Sequence, residues 1–293
     1  MNPEAIKALM TLLDDPEQEI FGPVAKKILA QGEEVIPFLE QTWDSSLNPL
    51  VQDRIEKLIA DIQQKTTEEG LNNWSNALNP RLFDGAYWTS RLAYPELDAN
   101  HTQQLLEKIK KDVWLELNQN LTALEKVKVL NYVLFEVHGF TNHSTNVFTL
   151  PSSFVHQVLE TRKGNPYSLA VIYAGIAQML ELPIYGVNLP RNFLLAYKDP
   201  VYSLISDAPS KSKVLFYINP YNKGAVLSYK EIDYYLEQQN MEKKEEYYLP
   251  CTNKQTITRL IEHIIASYQK IGNSEKLNGM LRLINILNSN SID

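Results

Sequence analysis

The stretch Arg162-Lys163-Gly164-Asn165-Pro166-Tyr167-Ser168-Leu169-Ala170-Val171-Ile172-Tyr173-Ala174-Gly175-Ile176-Ala177-Gln178-Met179-Leu180 decides the fold. Asn165 is a strong helix cap, and Pro166 suits the first helical position, where its missing N–H costs nothing. Beyond them Leu169, Ala170, Ile172, Tyr173, Ile176 and Met179 leave no polar face. A helix apolar all round belongs inside a core, so about Pro166 to Leu180 reads as the central buried helix. After it the period changes. Ile184–Asn188, Phe193–Tyr197 and Val214–Ile218 are short and rich in β-branched and aromatic residues, as strands are. Asp207–Ser212 reads as a polar loop, and Asn219-Pro220-Tyr221-Asn222-Lys223-Gly224 as a turn. Helices first and a small antiparallel sheet afterwards is an α+β layout.

Working outward, the spacing predicts helices on both sides. Thr122 and Glu125 form a capping box before Val127, Leu130, Val133 and Leu134, and Ser228 and Glu231 form another. Ser153 is placed to cap a short helix through Val155, Val158 and Leu159 that stops at Gly164. Thr252–Gln269 and Glu275–Leu287, separated by Gly272, read as a closing helical hairpin. The first 68 residues read as four short helices, opened by Asn2-Pro3, Asp15-Pro16 and Asn48-Pro49 among others, with a polar boundary at Thr66–Gly70.

Charge and composition narrow the function. Residues 1–68 carry 13 acidic against 6 basic side chains, which accounts for the whole net charge of −7. That surface suits a protein or peptide partner of basic character, whereas nucleic-acid binding wants a basic footprint. The 11 glycines are nowhere closer than seven positions, so neither a dinucleotide fingerprint nor a P-loop exists. No apolar run is long enough for a bilayer, and neither a secretory leader nor membrane contact is expected. The single cysteine, Cys251, fits a reducing compartment, and a cytoplasmic location is the expectation. His101, His138, His143, His156 and His263 show no diagnostic ligand spacing, so neither a metal nor a cofactor is expected.

Gly164-Asn165-Pro166 before an apolar helix, Leu182-Pro183 after it, and three strands resemble the transglutaminase-like (papain-related) superfamily. Nearer still, Gly139-Phe140, Arg162-Lys163-Gly164-Asn165-Pro166-Tyr167-Ser168-Leu169, Gly186-Val187-Asn188-Leu189-Pro190-Arg191-Asn192-Phe193 and Asn219-Pro220-Tyr221 are similar to the ordered motifs of its SirB-one-like branch. Arg91–Asp98 also resembles that branch. The stretch from Asp14 to Leu39 loosely resembles a HEAT-type helical pair. The resemblance implies an acidic HEAT-like helical module over 1–68, a transglutaminase-like domain with a small antiparallel sheet over 70–250, and a C-terminal helical pair over 252–293.

In the superfamily a Cys at the helix start, a His on the next strand and an Asp on the following one cooperate. By the resemblance these roles fall on Pro166, Asn192 and Asn219. A prolyl ring is no nucleophile and a carboxamide has no useful basicity near neutral pH. Because triad members act as a unit worth roughly 10⁶-fold in rate, the expectation is a non-catalytic binding or scaffold protein with no catalytic residue. Asn165, Tyr167, Ser168 and Arg191 form the candidate ligand cleft. The alternative is a hydrolase or acyl-transferase using Ser168 or a residue outside the matched motifs.

Overall fold

A computed structural model describes residues 3–142, 149–199 and 213–289. The chain divides into two compact units, Met1–Gly70 and Leu71–Asp293. The first unit is helical: α1 (Pro3–Thr11), α2 (Gln18–Leu29), a 3-10 turn (Gly32–Val35), α3 (Ile36–Ser45) and the start of α4 (Pro49–Ser75). Leu13, Ile28, Val35, Leu39 and Ile55 are fully buried and form its core. The connection from α1 to α2 leaves the backbone carbonyls of Leu13 and Asp15 in need of donors. Arg54 supplies donors, giving one guanidinium nitrogen to the carbonyls of Leu13 (2.8 Å) and Asp15 (2.6 Å). The same group lies 4.0 Å over the Phe21 ring.

The polar stretch Thr66–Gly70, expected as a boundary of its own, is helical, and the division between units falls inside α4. Thr67 is buried and donates its hydroxyl to the Gln63 carbonyl. Leu71 and Trp74 then resume the apolar stripe, and one helical glycine costs only about 1 kcal/mol.

The second unit holds α5 (Leu82–Arg91), α6 (Ala99–Glu116), α7 (Ala123–Asn131) running into a π-helical turn (Tyr132–Val137), and a two-residue strand β1 (Thr141–Asn142). Next come α8 (Val155–Thr161), β2 (Lys163–Gly164) and α9 (Pro166–Met179). β3 (Ile184–Val187), β4 (Leu194–Lys198), β5 (Val214–Asn219) and β6 (Ala225–Leu227) form one antiparallel sheet in chain order, while β1 and β2 pair in parallel. α10 (Tyr229–Gln238), α11 (Asn253–Ile271) and α12 (Ser274–Ser289) follow. The loop expected over Asp207–Ser212 lies outside the described residues.

Every residue of α9 from Ser168 to Ala177 is buried, as its unbroken apolar surface requires. α5 approaches it closely enough that a Cβ on Gly175 would stand 2.4 Å from the Phe83 ring. The closing hairpin shares this core, since Ile257, Ile261, Ile264, Met280 and Leu283 bury into one cluster with Leu169, Ile172 and Ile176. Two local expectations are corrected. Helix α8 ends at Arg162 in a left-handed conformation (φ 63°) rather than at Gly164, because the Arg162 carbonyl there receives the Thr141 N–H of the parallel bridge. Ser153 does not cap α8; its hydroxyl accepts from the Asn165 side chain instead.

Candidate functional site

The first turn of α9 is locked by its own polar side chains. The Asn165 carboxamide oxygen accepts from the N–H groups of Tyr167 (2.9 Å) and Ser168 (3.0 Å). In return the Asn165 N–H donates to Ser168 Oγ at 3.0 Å. Ser168 donates its hydroxyl to the Ser152 carbonyl at 2.6 Å, and Asn165 Nδ2 donates to Ser153 Oγ at 2.8 Å. Asn165 and Ser168 are both 0% exposed. The Ser168 hydroxyl thus has its proton committed to a backbone carbonyl, with neither an imidazole nor a carboxylate among the partners described. It works as the third residue of a capping box.

Asn192 follows Arg191, which has φ 60°. Its side-chain oxygen accepts from the Phe193 N–H at 2.9 Å, and its own N–H donates to the Leu189 carbonyl at 3.1 Å. Asn219 caps the 3-10 turn Pro220–Asn222, accepting from Tyr221 (3.1 Å) and Asn222 (3.3 Å). Sheet register brings these positions to one end. β4 starts at Leu194 opposite Val187, and Leu195 pairs with Ile218, so Asn219 lies at the sheet end where Asn192 enters. The Phe193 ring lies 5.4 Å from that of Tyr167, beside Pro166. The turn after Asn219 is anchored through Asn131, which donates to the Gly224 carbonyl (2.8 Å) and accepts from the Tyr173 hydroxyl of α9 (2.8 Å). Gly224 (φ +71°) admits no side chain, since a Cβ would stand 1.8 Å from the Asn131 oxygen.

The family model described as the transglutaminase-like superfamily matches residues 100–262, which is more than half of the chain and includes this whole pole. The chain belongs to the transglutaminase-like superfamily. It is 32% identical over 114 residues to a UPF0162 protein of Xylella fastidiosa, covering 39% of this chain and 41% of that one. It is 29% identical over 116 residues to a UPF0162 protein of Pseudomonas aeruginosa (40% and 43%). With human F-box only protein 21 it shares 31% over 109 residues (37% and 17%). The chain thus spans about two-fifths of the length of the bacterial relatives it matches. No solved structure matches it.

At the pole of this transglutaminase-like domain, Tyr167 carries a further group that the sequence reading missed. His263 stacks on it at 4.8 Å, and the Arg259 guanidinium lies 6.0 Å from its ring centre. The available signal was the four-residue spacing of Arg259 and His263, which puts both on one face of α11. Arg191 points to α10, donating to the Gln239 side chain at 3.1 Å, and the Tyr235 hydroxyl donates to the Pro190 carbonyl at 2.9 Å.

The remaining reactive groups sit in buried or hydrogen-bonded structural settings. Cys251 lies along the β3 edge, its N–H donating to the Gly186 carbonyl at 2.8 Å and its sulfur 3.4 Å from Thr256 Oγ1. Burial pushes its thiol pKa up, away from thiolate. His138 meets Asp112 at 2.9 Å, while His156 is buried against Tyr94 with neither ring nitrogen partnered. His143 lies outside the described residues. Among the described residues no group of three or more His, Cys, Asp or Glu is arranged to hold a metal. Nor is any helix among them long and apolar enough to cross a membrane.

Two hollows lie at the opposite end of α9. One of about 510 Å³ is lined by Phe83, Gly175, Gln178, Met179, Tyr185 and Asn253. A more open groove of about 570 Å³ is lined by Lys110, Trp114, Leu117, Lys126 and Glu181. Neither includes any of Asn165, Tyr167, Ser168 or Arg191.

Proposed function

We propose that this chain is a non-catalytic member of the superfamily, of the SirB-one-like branch, working as a binding or scaffold module. The observation that carries the reading is the chemistry of the shared pole. Pro166, Asn192 and Asn219 stand at the sheet end and helix start with no nucleophile, base or carboxylate among them. The nearby Ser168 hydroxyl is sealed in a capping box. A buried hydroxyl without a base partner lacks both activation and access.

The test is amine incorporation and amide hydrolysis with glutamine-containing peptides, comparing the intact chain with Ser168→Ala. Equal, background-level rates support the reading. Turnover that Ser168→Ala abolishes refutes it in favour of a serine hydrolase or acyl-transferase.

A second interaction surface is favoured by charge. The module over residues 1–68, which we take to be HEAT-like, bears the chain's entire net charge, so its helices suit a basic protein or peptide in the cytoplasm. Binding through it weakens as salt rises, because exposed charges are screened beyond a Debye length of about 10 Å at 0.1 M.

A further inference from the structure

Tyr167 is partly exposed at the degenerate pole. Phe193 flanks it at 5.4 Å and His263 at 4.8 Å. The Arg259 guanidinium lies 6.0 Å from the Tyr167 ring centre; its terminal nitrogen donates to Glu262 at 2.7 Å while its buried Nε has no partner among the described residues. An unpaired buried N–H on a charged group is costly, and it leaves Nε with donor capacity for an acceptor. Arg191, two residues before Phe193, is exposed and held in a left-handed conformation (φ 60°) that a glycine would adopt without strain. Its tie to Gln239 uses one of five donors. The Tyr235 hydroxyl donates to the carbonyl of Pro190, next to Arg191, and Phe193, two residues on, meets the Tyr167 ring at 5.4 Å, which brings the Arg191 turn to this pole. The pole thus lacks the carboxylate its family layout implies at Asn219, and carries two guanidinium groups borne by different elements.

We infer that this pole recognises carboxylate side chains of an acidic peptide, with Arg191 and Arg259 as the anchoring cations and Tyr167 as an aromatic shelf. Guanidinium groups accept planar carboxylates in two-pronged fashion, and the aromatic ring supports the aliphatic stem. Neither of the two hollows includes Tyr167, Arg191 or Arg259, so an extended chain lying along the surface suits these groups better than an enclosed small molecule. The inference rests on the binding-module reading and gives it a ligand class.

The test is fluorescence anisotropy of the full chain with fluorescein-labelled Gly-Glu-Glu-Gly-Glu-Glu-Gly, against the same peptide with Gln for every Glu. The Glu peptide is expected to bind about tenfold or more tightly, and Arg191→Gln or Arg259→Gln to remove about tenfold each. Arg191→Lys is expected not to restore binding, because an ammonium lacks the fork. Lys110→Gln and Lys126→Gln, at the other end of α9, are expected to have no effect. Equal binding of the two peptides overturns the inference, as does equal loss from the lysine variants. Arg191 lies at the surface, so its variants keep the test valid even where Arg259→Gln perturbs folding. Loss of the inference leaves the turnover comparison untouched, and turnover refutes the non-catalytic reading whatever the peptides do.

Discussion

At the scale of single residues, the polar side chains of the pole stabilise backbone and do not perform chemistry. Ser168 holds the Asn165 N–H and the Ser152 carbonyl, both inside the core. Ser168→Ala is therefore expected to cost about 1–3 kcal/mol of stability by leaving buried partners unsatisfied, measured as a lower urea midpoint at unchanged slope. No loss of stability contradicts the capping role. His156 makes a separate prediction. Buried among aromatic rings, it has a pKa lowered to about 4 by desolvation, so it folds neutral while the unfolded chain protonates at its ordinary value. Between those values the unfolded state binds more protons. Stability is thus full above about pH 6.5 and falls as pH drops toward 4, by on the order of 3 kcal/mol from this group. His156→Leu is expected to flatten that part of the stability–pH curve, and an unchanged curve contradicts the assignment.

At the scale of elements, α9 was the most readable piece, because an apolar surface all round has only one stable environment. The capping boxes at Thr122 and Ser228 were readable for a local reason: each is a pair of side chains three positions apart. What escaped was set by tertiary contact. β6 is three residues long and gains strand form only by pairing Leu227 with Tyr217 and Ala225 with Asn219. The parallel bridge of β1 and β2 joins residues 22 positions apart, Thr141 with Lys163, and it forces Arg162 into a conformation its type disfavours. The meeting of α5 and α9 at Gly175 also has no local signal. Gly175→Ala drives a Cβ into the Phe83 ring and is expected to destabilise by about 1–3 kcal/mol. Phe83→Leu in the same chain is expected to recover part of the loss, since the two sites touch. Additive losses in denaturant unfolding contradict that contact.

At the scale of the whole molecule, the superfamily was legible because the motifs keep their order along the chain. The far end of α9 was not, since the hollow beside Gly175 draws on Asn79–Asp84, Gly175–Pro183 and Thr252–Asn253, segments brought together only by folding. The central claim is that Pro166, Asn192 and Asn219 share one pole while lacking its chemistry. The most direct measurement is the pH dependence of iodoacetamide alkylation of the thiol introduced by Pro166→Cys in a Cys251→Ser background, with and without Asn192→His and Asn219→Asp. The account predicts that the two added substitutions lower the thiol pKa by about a unit or more from the single variant, as a neighbouring imidazolium does, without creating amide hydrolysis. An alkylation profile that the added substitutions leave unmoved would contradict the shared pole and, with it, the reading of this site.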